Sequence, residues 1–204
     1  MDATAKQQRV WDREAAGWDA TAARLERGLF AGGREWIGSR ASGRVLEVGI
    51  GTGRSIPYYP ADATVTGVEL SPEMLAIARR RVAELGSKAE LLQGDAEHLP
   101  FDAESFDTVV AQLTLCSIPH NDVAIREMAR VLRPGGSLLL IDHVGSSWPP
   151  IYAGMWVIER VTILTAGEHF TRRQLPLVES AGLRVVERER LKLGIIERIR
   201  ATKS

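Results

Sequence analysis

Val45-Leu46-Glu47-Val48-Gly49-Ile50-Gly51-Thr52-Gly53 is a short aliphatic run that passes straight into a turn with glycine at every second position. The run predicts a buried strand. Three alternating glycines let the chain bend sharply and bring its backbone against a ligand where a Cβ would collide. A dinucleotide fingerprint needs glycine at the sixth position of the turn, where Arg54 stands, and the Lys-Ser/Thr pair of a P-loop is missing. The turn therefore points away from NAD and ATP, although alone it is also what a tight strand-to-helix turn without any ligand looks like.

Downstream of Gly43, β-branched runs alternate with helical segments. Strands are predicted over 44–48, 64–69, 89–93, 106–111 and 137–141. Ser71 is suited to cap a following helix with Pro72 at its first position and an apolar stripe from Met74 to Leu85, ended by Gly86. Another helix spans 121–132, closed by Pro134 and Gly135. Such alternation predicts a mostly parallel sheet covered on both faces. Upstream, residues 3–27 carry Val10, Ala15, Trp18, Ala22 and Leu25 at helical steps, and 29–40 add a short second helix. Toward the end, Thr171 and Gln174 have capping-box spacing for a helix running to Ala181. The stretches 183–191 and 194–201 are joined by a turn too short for a crossover, so they pair antiparallel.

Polar groups recur where those strands end. Glu69 closes the second strand at the spacing at which an acidic side chain accepts hydrogen bonds from ribose hydroxyls. Asp95 follows the third strand, in reach of the exocyclic amine of an adenine, and Gln112 ends the fourth. Open α/β sheets bind ligands at this edge. The plain alternative for each acid is a solvated charge at a strand end.

Bulk properties narrow the classes. The 26 basic residues balance the 26 acidic ones, so the chain as a whole offers no electrostatic footprint for nucleic acid. Cys116 is the one cysteine, which excludes an intramolecular disulfide, and no zinc-type Cys/His spacing occurs, so no metal is expected. The charged start has no signal-peptide run and no window is long and apolar enough to span a bilayer, so a cytoplasmic protein is expected.

The ordered motifs VLEVGIGTG, VTGVELSPEMLAIAR, GDAEHLPF, SFDTVVA and VLRPGGSLLLIDH resemble the class I S-adenosylmethionine-dependent methyltransferases. Within that class they are similar to the small domain of bacterial phosphatidylethanolamine N-methyltransferases and quinone-biosynthesis methyltransferases. The resemblance implies a Rossmann-like α/β three-layer sandwich, a mostly parallel seven-stranded sheet with a C-terminal antiparallel hairpin. It implies one domain over 1–204: a helical cap (1–42), a cofactor-binding core (43–143), an apolar substrate cover (144–170), and a last helix and hairpin (171–204). S-adenosylmethionine is the implied cofactor and S-adenosylhomocysteine the product. By the family pattern Gly49, Gly51 and Gly53 pack against the methionine part, Glu69 meets the ribose, and Leu70 and Met74 flank the adenine. Asp95 and Ala96 lie at the adenine edge and Gln112 under the sulfonium, with Glu47 in the same set. Trp18-Asp19 stands where the family often has Tyr-Asp, so Trp18 either closes over the cofactor without the phenolic hydroxyl or simply packs in its helix.

The acceptor side is less defined. Methyl transfer is an in-line displacement that depends on alignment, and an amine acceptor needs a group to take its proton. His143, Glu168 and His169 are the catalytic candidates, each with a surface or capping role as the plain alternative; His120 is a weaker one. Segment 145–167 holds Trp148, Tyr152, Met155, Trp156, Val161 and Leu164 with charge only at Glu159 and Arg160. It reads either as a core helix packed on the sheet or as a lid for a lipophilic acceptor that dips into a membrane. Lys6, Arg9, Arg13, Arg24 and Arg27 add attraction for anionic lipid, which Asp12, Glu14, Asp19 and Glu26 weaken. The expected acceptor is an amine of a lipid head group such as phosphatidylethanolamine, or a similar lipophilic small molecule, met in the cytoplasm at the inner membrane face. The alternatives are C-, O- or S-methylation of a quinone precursor, phenol or thiol, and a noncatalytic cofactor-binding module.

Overall fold

The computed structural model describes residues 3–165 and 167–204. A long helix, α1 (Ala3–Arg27), and a short one, α2 (Gly33–Gly38), precede the first strand. Strands β1 (Arg44–Val48) and β2 (Thr64–Glu69), helix α3 (Pro72–Leu85), and strands β3 (Glu90–Gln93) and β4 (Phe106–Gln112) follow. Then come α4 (Asn121–Val131), β5 (Leu132–His143), α5 (Pro149–Thr165), α6 (Leu175–Ser180), β6 (Leu183–Leu191) and β7 (Ile196–Lys203). The sheet runs β3-β2-β1-β4-β5-β7-β6, parallel through β5 and antiparallel at β7 and β6.

Alternation along the central strands sorts the core into two layers. Leu46, Val48, Val109, Leu138 and Leu140 face α4 and α6, while Val45, Val110, Leu139 and Ile141 face Trp36, Ile37 and Tyr59. Successive strand side chains point to opposite faces, so near-continuous aliphatic runs are what a sheet covered on both sides requires. Helix α3 has the expected ends: Ser71 Oγ accepts from Met74 N at 3.1 Å, Pro72 opens the helix and Gly86 closes it at φ 59°.

Several boundaries differ from the sequence reading. The second helix is shorter than 29–40. Helix α4 stops at Val131, and Pro134 and Gly135 sit inside the extended start of β5. Phe106 pairs with Leu132 before the register shifts, so β4 recruits this stretch as strand. The capping box does not form. Thr171 N donates instead to Glu159 Oε2 at 2.7 Å, Gln174 Oε1 accepts from Asn121, and α6 is one short helix starting at Leu175.

Segment 145–167, of which residue 166 lies outside the described residues, is not a core helix on the sheet. In α5 only Met155 and Glu159 are buried, whereas Val157, Val161 and Leu164 are 61%, 61% and 76% exposed. Among the described residues no helix is long and apolar enough to cross a membrane.

Candidate active site

The carboxyl ends of β1 to β4 surround one pocket, about 910 Å³ of empty space counting its open mouth. Its floor is the glycine turn. Gly49 N and Ile50 N donate to Val68 O at 2.8 and 3.1 Å, which bends the chain off β1 toward β2. Gly49 sits at φ 69°, and a Cβ there would stand 2.3 Å from Thr114 Cγ2, so the β4 loop closes on the turn only because the side chain is absent. Gly51 differs: its nearest neighbour for an added Cβ is Trp18 Nε1 at 3.8 Å, which leaves its backbone open to the pocket. Gly53 is not among the lining residues; it brings the turn against Ile56 and Ala78.

Glu69 is buried at the end of β2 and lines the pocket. Its Oε2 accepts from Gly51 N and its Oε1 from Ser71 N, both at 2.9 Å. Burial pushes its carboxyl up and these backbone donors pull it back, leaving it raised. An ionised carboxylate has about four acceptor sites, so beside the backbone of Gly51, Leu70 and Ser71 it keeps acceptor capacity for a donor such as a hydroxyl.

Leu70, Met74, Gly94, Asp95 and Ala96 continue the wall. Asp95 Oδ1 is turned into its own loop by Glu97 N at 2.9 Å. Gln112, 8% exposed at the end of β4, lines the pocket with neither its Nε2 nor its Oε1 in a hydrogen bond. A buried amide without partners is costly, and a ligand that donates and accepts there removes the cost.

Helix α1 covers this pocket. Thr4, Gln7, Trp11 and Trp18 line it, and Trp11 meets Trp18 edge to face at 5.1 Å between centroids. Three acids seven residues apart fasten the helix. Asp12 Oδ1 accepts from Ser71 Oγ at 2.6 Å, and Asp19 Oδ1 accepts from Thr52 Oγ1 at 2.7 Å while pairing with Arg81. Glu26 pairs with both Arg34 and Arg54. Burial raises the carboxyls of Asp19 and Glu26, but their hydrogen bonds from Thr52 and Arg81, and from Arg54 and Arg34, outweigh it and hold both below the usual range. The sequence reading expected a helical cap with Trp18 over the cofactor but missed this fastening, since the acids read only as neutralising nearby bases; their heptad spacing was the available signal.

Glu47 lines the pocket from beneath, but its Oε2 accepts from Ser55 Oγ and from Tyr59 Oη at 2.9 Å, and burial raises its carboxyl. Its visible work is to hold the 55–59 segment under the turn.

The three catalytic candidates lie outside the pocket lining. His143, two residues beyond the strand partner of Gln112, stacks on Phe170 at 4.6 Å with its Nδ1 unpartnered. Burial raises the Glu168 carboxyl, the His143 charge opposes that, and Asp142 adds to it. His169 turns to Glu159 instead, Nδ1 to Oε1 at 3.4 Å, and burial lowers its imidazole. Cys116, from the loop after β4, also meets the adjacent Asp142 and His143 at the end of β5, with their ligand-type atoms within 4.8 Å of one another. Asp142 is committed to backbone, accepting from Cys116 N at 3.0 Å and His143 N at 2.8 Å. Burial, with Asp142 beside it, pushes the Cys116 thiol well up.

A parallel sheet finished by an antiparallel pair, with a glycine turn, an acid and an orphan amide at one edge, defines a nucleoside-binding α/β protein of the methyltransferase class. The comparisons agree. Residues 46–140 match the model of a methyltransferase domain. The chain is 46% identical over 113 residues to a phosphatidylethanolamine N-methyltransferase of Cereibacter sphaeroides, covering 54% of this chain and 56% of that one. It is 32% identical over 167 residues to a demethylmenaquinone methyltransferase of Roseiflexus castenholzii, covering 78% of this chain and 69% of the relative. A crystal structure of an S-adenosylmethionine-dependent methyltransferase from Thermotoga maritima superposes with a TM-score of 0.71 over 96% of this chain and 99% of that one, at 24% identity, which shows the shared fold. The chain belongs to the S-adenosylmethionine-dependent methyltransferase family, with S-adenosylmethionine as its cofactor. The match spans little more than half of the first of these relatives.

Proposed function

We propose that this chain transfers a methyl group from S-adenosylmethionine to an amine of a lipid head group such as phosphatidylethanolamine, or of a similarly lipophilic small molecule. One observation carries the acceptor class: α5, with no exposed acid, lies against the segment bearing Glu168 and Phe170, where Thr162 Oγ1 donates to Glu168 O at 3.0 Å. The 46% identity to a phosphatidylethanolamine N-methyltransferase favours the same reading.

The residues fit the cofactor. Glu69 keeps acceptor capacity for the ribose, Gly51 leaves its backbone bare for the methionine part while Gly49 lets the β4 loop close beside it, and Leu70, Met74, Asp95 and Ala96 flank the adenine. Gln112 supplies the partnerless amide near the reacting end, and Trp18, carried on α1, closes the mouth over Gly51. When bound, S-adenosylmethionine supplies an electrophilic methyl on a sulfonium. An alkylammonium must lose a proton before its nitrogen can attack. Glu168, raised by burial, takes that proton, with His143 beside it and His169 held back by Glu159. Water is kept out by α1, and the apolar α5 admits a lipid chain alongside. The work is done in the cytoplasm, against the inner membrane face.

C-methylation of a quinone precursor is the second reading, favoured by the demethylmenaquinone relative that matches the larger share of this chain. A mass-spectrometric product screen with S-adenosylmethionine and phosphatidylethanolamine, simple amines, thiols, phenols or a quinol separates the readings. Methylated phosphatidylethanolamine is expected; a mass shift confined to the quinol or a thiol overturns the amine assignment.

A further inference from the structure

Helix α1 is sorted by charge around its axis. At about 100° per residue, Asp12, Asp19 and Glu26 share one stripe, the stripe spent on Ser71, Thr52, Arg81, Arg34 and Arg54. The exposed Arg9, Arg13, Arg24 and Arg27 share another, within roughly 60° of arc. The acids that balance the arginines in the sequence are thus turned inward, and Glu14 is the one exposed acid among the described residues of this helix. A chain of zero net charge carries a basic outer face.

Helix α5 adjoins it, since Lys6 Nζ donates to Leu164 O at 3.4 Å. Trp156, Val157, Ile158, Val161 and Leu164 are all exposed, over roughly 200° of arc at the same angular step. Arg160 is the one exposed charge of α5, and its guanidinium lies 4.1 Å over the Trp156 ring, leaning along the apolar surface. A partner helix or groove covers a stripe of little more than about 100°; an arc twice as wide, beside a row of arginines, suits a medium that wraps the helix.

We propose that α1 and α5 form a docking surface for an anionic lipid bilayer, α5 sinking its apolar arc among the acyl chains and the α1 arginines meeting the head groups. Apolar burial plus electrostatic attraction is the physics of interfacial helices. Docking is independent of which acceptor is methylated, and the test uses vesicles without any primary amine so that one result does not decide the other.

The full chain is floated with vesicles of phosphatidylglycerol and phosphatidylcholine, and with phosphatidylcholine alone, at low and high salt. Binding is expected on the anionic vesicles, at least tenfold weaker without phosphatidylglycerol, and weakened by salt as the screening length shrinks from about 10 Å at 0.1 M to about 3 Å at 1 M. Brominated acyl chains should quench Trp148 and Trp156 emission, and the quenching should vanish in Trp148→Phe/Trp156→Phe. Val157→Glu/Val161→Glu and Arg13→Glu/Arg24→Glu alter exposed positions and should each weaken binding at least tenfold. No binding at low salt, or variants that bind like the parent, overturns the proposal. So does light scattering that shows a dimer which Val157→Glu/Val161→Glu splits while vesicles go unbound, because α5 would then face a second copy.

Discussion

Burying a carboxylate costs free energy unless donors meet it, and Glu69 accepts from the backbone of Gly51 and Ser71 while keeping acceptor capacity for a ligand. Gly49 is the other residue on which the pocket turns. Gly49→Ala places a Cβ 2.3 Å from Thr114 Cγ2 at φ 69°; left-handed strain and overpacking together predict a loss of about 2–4 kcal/mol, read as a fall in Tm. A Tm within a degree of the parent would contradict that geometry. On the acceptor side, Glu168→Gln should lower kcat at least tenfold at pH 7 and leave the affinity for S-adenosylmethionine within about twofold. A cofactor-binding defect of the same size would instead give Glu168 a structural role. At this scale the sequence was informative wherever a strand end met a polar residue, which is how Glu69, Asp95 and Gln112 stood out. It singled out His143 but was silent on its meeting with Cys116, which depends on β5 lying beside the loop after β4.

Helices and strands were legible where local chemistry sets their ends. The Ser71 cap, Pro72 and Gly86 mark α3 without tertiary help. The start of β5 was not legible, because Pro134 and Gly135 ordinarily end structure and only pairing with Phe106 holds that stretch extended. The capping box at Thr171 failed for a related reason, a better acceptor in Glu159 arriving from α5. Helix α1 carries the element-scale prediction. Asp19 and Glu26 titrate below the usual range in the folded chain, so what they add to stability is present above their unfolded pKa, about 4, and is lost as pH falls through the lower folded values. Tm of the parent should therefore drop more steeply between pH 5 and pH 3 than that of Asp19→Asn/Glu26→Gln, which should already be lower at pH 7. Parallel curves would mean that the latches add nothing.

Across the whole molecule, balanced composition hid a segregated surface. Counting charges excluded a nucleic-acid footprint but did not reveal that Asp12, Asp19 and Glu26 of α1 are spent on partners outside the helix while its arginines face out. Likewise, an apolar segment reads the same in sequence whether it is buried or exposed, and for α5 exposure decided against the core helix. The mostly parallel sheet with its antiparallel end, and the pocket at its carboxyl edge, were readable in advance, since alternation of strands and helices constrains topology strongly; the order of the strands was not. A ligand that binds only the folded chain stabilises it by about 2.7 kcal/mol at a hundredfold excess over Kd, so S-adenosylhomocysteine should raise Tm by several degrees, and NADH should not move it. The account rests on the rim of Gly49 to Gly51, Glu69 and Asp95 holding an adenosyl group, and calorimetric titration of the parent and Glu69→Ala with S-adenosylhomocysteine tests this most directly. It predicts one site per chain in the parent and at least tenfold weaker binding in the variant, with unchanged circular dichroism. Equal affinity in the two proteins, or no heat from the parent, would contradict it.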